Sequence, residues 1–210
     1  MFNQLTLNKP ERWHQAFSSH SLSLNERTIL ITFFAGFTAL CAQVAFVIPQ
    51  LSPVPFTLQT FAVLATGVFL NRNDAFLSGS VYILAGALGA PVFAEGSNAL
   101  FDAEWTLIAS GGYLLTFPFA SAIVATGLDM SRNSEKPQYA IQALCWLTAM
   151  IPVYVVGSLW LAYSYDLSLS QAYEFGVEPF IIWDLFKIVM LGIVTTTIWA
   201  YSKEQIPTNS

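Results

Sequence analysis

The sequence predicts an all-α integral membrane protein, a bundle of six transmembrane helices with both termini in the cytoplasm. Three observations predict it. Of 210 residues, 55% are hydrophobic and only 10% charged, against about 25% charged in a soluble domain. Apolar runs long enough to cross roughly 30 Å of hydrocarbon recur along the chain. The charges also sort by loop when six crossings are assigned, with the basic residues on the side of the termini.

The elements follow in order. Residues 1–25 are polar and mixed, and lack the compact apolar core and small-residue cleavage site of a secretory signal. They predict a cytoplasmic arm, either a loose tail or a segment resting Trp13 and Phe17 on the membrane surface. Residues 26–204 form the transmembrane domain and 205–210 a short tail. No charge falls between Thr28 and Asn71, a stretch too long for one span. Pro49, Pro53 and Pro55 divide it, since each removes a backbone donor and disfavours helix in the preceding residue. The predicted spans are 28–48, 57–71, 75–93 (ended by Pro91), 106–128, 138–163 and 179–201.

Six spans place Lys9, Arg12, Arg27, Arg72, Arg132, Lys136 and Lys203 on the side of the termini. The opposite loops take Glu95, Asp102, Glu104, Asp166, Glu174 and Glu178 and no basic residue. This segregation predicts a multi-pass plasma-membrane protein with its termini inside. Only Asp184 and Lys187 are left within a span. There is no clear internal repeat, which argues against an inverted-repeat transporter.

Several activities are excluded. The four lysines precede Pro10, Pro137, Ile188 and Glu204, so no phosphate-binding Gly-Lys-Ser/Thr loop exists and the chain carries no such ATPase site. His14 and His20 both lie in the arm, so no intramembrane serine–histidine pair or HExxH zinc helix can form. Cys41 and Cys145, in apolar runs, imply packing rather than a disulfide framework or a zinc site. An acidic, apolar chain offers no nucleic-acid surface. The sequence predicts a non-enzyme with no metal and no cofactor.

What chemistry remains is concentrated. Asp184 and Lys187, in "FIIWDLFK", share a helix face at i and i+3. Charges at membrane depth are costly and mark function by default. As a mere stabiliser the pair is replaceable by apolar residues. It lies about five residues, or about 8 Å, below the outer end of the last span. The stretch "SPVPFTLQT" adds neutral donors and acceptors at Ser52, Thr57, Gln59 and Thr60, on backbone that must be buried or line a cavity. An outer loop, "FAEGSNALFDAEWTLIASGGYL", supplies Gly111 and Gly112 for tight turning or close approach. Its Trp105 and Tyr113 read alone as interfacial anchors. Ala35 and Ala39 make a small-residue step that lets another helix approach. The same spacing at Ala85 and Gly89 reads as internal packing.

Taken together, "SPVPFTLQT", "SGSVYILAGALGAPVFAEGS", "SGGYLL" and "GVEPFIIWDLFK" resemble the BioY family, the biotin-binding S components of energy-coupling factor (ECF) transporters. The resemblance spans about residues 35–190. It implies a compact S-component-like six-helix bundle holding biotin near the outer side. It carries substrate-binding roles over to Thr57, Gln59, Tyr82, Gly96, Tyr113, Asp184 and Lys187, and docking on a membrane coupling subunit to Ala35 and Ala39. The chain departs from the family pattern in its less glycine-rich outer loop, and at Ile182 and Trp183, where the family usually has Pro-Gly.

Biotin's chemistry agrees with these residues. A lysine suits its carboxylate. Gln59, Asn98 and neighbouring hydroxyls suit its ureido ring, which needs donors and acceptors. Aromatic and aliphatic walls suit the rest. Asp184 either holds Lys187 or accepts from the ureido nitrogens. The implied function is biotin uptake, with membrane lipids around the chain and separate coupling and ABC-type ATPase subunits supplying energy. The alternatives are a solitary facilitator, a binder of a related vitamin or carboxylate, and a structural membrane protein. The last leaves Asp184 and Lys187 unexplained.

Overall fold

The structure, a computed structural model, describes residues 22–96, 100, 108–131 and 139–204. Helix α1 (Leu24–Gln43) opens with a capping box: Ser23 accepts from the Glu26 amide, and the Glu26 carboxylate accepts from the Ser23 amide. That cap starts the helix four residues before the predicted span. The helix also stops five residues short of residue 48. The reason is non-local: Ala45–Phe46 (β1) pairs antiparallel with Phe56–Thr57 (β2), Ala45 opposite Thr57 and Phe46 opposite Phe56. The three prolines lie in the connection, where no ladder requires their missing donors.

Helix α2 (Gln59–Phe69) has 11 residues, about 16 Å of rise. Alone it is too short to cross a bilayer, and nearly all of it is buried. Helix α3 (Arg72–Ala87) is capped by Asn71, whose side chain accepts from the amides of Asn73 and Asp74. It ends before Pro91, because Gly89 adopts a left-handed φ of 96°, a common helix stop. Gly89 is exposed, with open space around its α-carbon. The predicted packing step at Ala85 and Gly89 is therefore corrected: the packing glycine is Gly86, against the Phe93 ring.

Helices α4 (Gly111–Ser131) and α5 (Tyr139–Ser164) contain Pro118 and Pro152. A short helix, α6 (Leu169–Gly176), which the sequence reading did not anticipate, has its own capping box from Ser168 and Gln171. Helix α7 (Glu178–Glu204) closes the described chain. By length and composition, three stretches among the described residues suffice to cross a membrane: Gly111–Asp129, Ala140–Ser164 and Leu169–Ile198.

Helix α4 lies centrally, against α2, α3 and α5, and α7 packs on α2, α5 and α6. The core between them includes Leu64, Phe93, Phe117, Val124, Trp146 and Leu191. Large apolar residues also cover the outside, among them Phe33, Leu40, Leu84, Leu144, Ile151 and Ile182. A surface this apolar is matched to hydrocarbon rather than water. Cys41 and Cys145 are both free. Arg27 and Asp74 form a bidentate pair, Nε to Oδ2 at 2.9 Å and Nη2 to Oδ1 at 2.6 Å, with Asp74 fully buried. This pair ties α1 to the start of α3, each residue lying one position outside its predicted span.

Candidate ligand-binding site

The β1–β2 turn aims Thr57 and the first turn of α2 at α7, and Asp184 meets them six residues into that helix. Lys187 Nζ donates to Asp184 Oδ1 and to Thr60 Oγ1, each at 2.7 Å. The Thr60 hydroxyl in turn donates to Asp184 Oδ1 at 2.7 Å. Tyr154, from α5, donates to Asp184 Oδ2 at 2.6 Å. Both carboxylate oxygens are therefore engaged, by three donors from three helices. Asp184 and Lys187 are 6% and 3% exposed, so the pair is desolvated, and its hydrogen bonds are of the short, charge-assisted kind. An ammonium has three donors. Two are used here, and the third has no partner among the described residues. The Trp183 ring stands 5.5 Å from Nζ, a favourable cation–π distance.

A second network lies beside the first. The Thr57 hydroxyl donates to Gln59 Oε1 at 3.0 Å, and Gln59 Nε2 donates to the Tyr82 hydroxyl. Tyr82 in turn donates to the Val92 carbonyl at 3.2 Å. Trp183 Nε1 donates to the Thr57 carbonyl at 3.0 Å, fastening β2 to α7. Phe56 stacks on Phe180 with centroids 4.5 Å apart. Gln59 keeps one N–H and one lone pair beyond these bonds, enough to offer a ligand both a donor and an acceptor.

These residues face one cavity of about 50 Å³, with Thr57, Gln59, Thr60, Asp184 and Lys187 as its polar wall. Tyr113, Phe117, Tyr154 and Phe180 are its aromatic wall. Of the residues singled out from sequence, Thr57, Gln59, Thr60, Tyr113, Asp184 and Lys187 meet here. Tyr82 is one hydrogen bond away, behind Gln59. Gly96, with φ 71° at the end of a 3-10 turn (Ala94–Gly96), does not line this cavity. Ser52 is buried, and its hydroxyl accepts from the Val54 amide within the turn. Asn98 and Trp105 lie outside the described residues. Ala35 is buried and Ala39 half-buried against the core.

Tyr154 and Trp183 were not predicted as site residues. Tyr154 carried a signal: a hydroxyl in the middle of an apolar span needs a partner when buried. Trp183 marks one of the departures from the family pattern, and it is the side chain that links the turn to α7.

An apolar exterior around a cavity walled by the buried Asp184–Lys187 ion pair and aromatic rings defines a helical membrane protein built to hold a small molecule. The chain belongs to the BioY family, whose model matches residues 14–204. It is similar to the "Probable biotin transporter BioY" of Pyrococcus horikoshii, 33% identical over 79% of this chain and 91% of that protein. It is also similar to the "Biotin transporter BioY" of Thermotoga maritima, 31% identical over 75% of this chain and 88% of that one. The fold matches the crystal structure of the S-component for biotin from an ECF-type ABC transporter. The TM-score is 0.73 at 20% identity, over 87% of this chain and 95% of that one.

Proposed function

We propose that this chain is a biotin-binding membrane subunit that mediates biotin uptake, energised by separate coupling and ATPase subunits. The observation that carries the reading is the third donor of Lys187, without a hydrogen-bond partner among the described residues, in an aromatic-walled cavity. A carboxylate arriving there completes the ammonium's hydrogen bonds. Asp184, accepting from Lys187 and Thr60 on Oδ1 and from Tyr154 on Oδ2, acts as the holder of Lys187. Gln59 and Thr57 meet the ureido group, and the aromatic wall meets the apolar ring and chain. At about 50 Å³ the cavity is smaller than the roughly 300–1,000 Å³ of typical ligand pockets, so its walls part on loading.

This reading includes six crossings, with both termini in the cytoplasm and α2 extended across the bilayer by its flanking segments. It also includes a docking face for the coupling subunit on α1 at Ala35 and Ala39, and roles for Gly96 and Asn98 at the cavity's outer side. The test is a titration of the purified, detergent-solubilised full chain with labelled biotin. Saturable one-site binding supports the reading, and its absence from correctly folded protein removes it. Uptake by this chain without partner subunits would favour a solitary facilitator.

A further inference from the structure

Tyr113 sits in the first turns of α4 and is held by two glycines from other elements. Its hydroxyl donates to the Gly176 carbonyl at 2.8 Å, at the end of α6. Its ring lies directly on α5 at Gly157. A Cβ added to Gly157 would overlap Cδ1 and Cε1 of that ring and stand 2.5 Å from Cγ. One added to Gly176 would stand 2.5 Å from the tyrosine oxygen. Neither glycine has a left-handed φ, so backbone conformation does not require them. Gly157 lies inside a helix, where alanine is the better residue. What requires glycine at both positions is the close approach of the tyrosine.

We infer that Gly157 and Gly176 form a seat for Tyr113, and that this seat sets the width of the cavity. Ordinary contact begins at 3.4 Å. Going from 2.5 to 3.4 Å, alanine at 157 drives the ring back by about 0.9 Å or more. Tyr113 lines a cavity of only about 50 Å³, so a shift of this size alters the space left for a ligand. Gly157 and Gly176 are positioning residues, acting through Tyr113. The inference rests on reading this cavity as the biotin site.

A pair of mutant cycles tests it. Gly157→Ala is expected to weaken biotin binding about tenfold, the scale of an overpacked site. The same substitution in a Tyr113→Leu background is expected to cost little, because the ring it displaces is gone. Gly176→Ala meets chiefly the hydroxyl, so its cost is expected to vanish in Tyr113→Phe. This second cycle carries the test if Gly157→Ala does not fold. Losses that simply add in both cycles would overturn the seat. Ligand-free melting temperature is read in parallel: Gly157→Ala should lower it with Tyr113 present and not with Leu at 113. Equal shifts in the two backgrounds would also overturn the seat. A coupled melting cycle in protein that binds no biotin would support the seat while refuting the ligand reading.

Discussion

Tyr154 and Lys187 reach Asp184 from opposite sides, the hydroxyl on Oδ2 and the ammonium on Oδ1. The carboxylate is thereby held between α5 and its own helix. Tyr154→Phe removes one hydrogen bond to a charged group, about 1.5–3 kcal/mol. Biotin affinity should fall about tenfold or more, with the fold intact by melting temperature. An unchanged titration would mean that Asp184 is held well enough by Thr60 and Lys187.

Arg27, itself partly exposed, pairs with the buried Asp74. Arg27→Ala removes both hydrogen bonds of this pair and costs about 1–3 kcal/mol of stability. The cavity lies on other residues, so biotin affinity of the folded fraction should not change. A weakened affinity at full folding would show that this pair communicates with the site.

Topology is tested by surface labelling in a background with Cys41 and Cys145 replaced by alanine. Ser170 and Arg72 are both exposed in the bundle. Ser170→Cys should react with an impermeant reagent in sealed cells, and Arg72→Cys only after permeabilisation. Labelling of position 72 from outside would overturn the six-crossing arrangement.

Docking is tested at α1. Bulky residues at Ala35 and Ala39 should block partner-dependent uptake. Both alanines contact the core, so biotin binding is titrated in the same variants. Unchanged uptake with partners present would move the docking face elsewhere.

The ion pair of the site was legible because two charges in an apolar run have no bland explanation. Thr57 and Gln59 were legible because polar residues among prolines at membrane depth need a cavity. Less visible were contacts between distant parts of the chain. Ala45 pairs with Thr57 and so shortens α1, and no local pattern announces that pairing. Arg27 and Asp74 are 47 residues apart, each beside a helix end where a solvated charge is ordinary. The seat of Tyr113 was hidden for a third reason: a glycine inside a span usually reads as packing, and only the fold shows which ring it meets.

The central claim is that Lys187 receives the carboxylate of the ligand. Truncating one partner of a buried charge pair costs about 2–5 kcal/mol, or roughly thirty-fold and more in affinity. The most direct measurement compares biotin with its neutral amide in wild-type and Lys187→Ala protein. Lys187→Ala is expected to lose at least about thirty-fold for biotin and far less for the amide. Equal losses for the two ligands would contradict it, and would make Lys187 a support of the cavity rather than the carboxylate's partner.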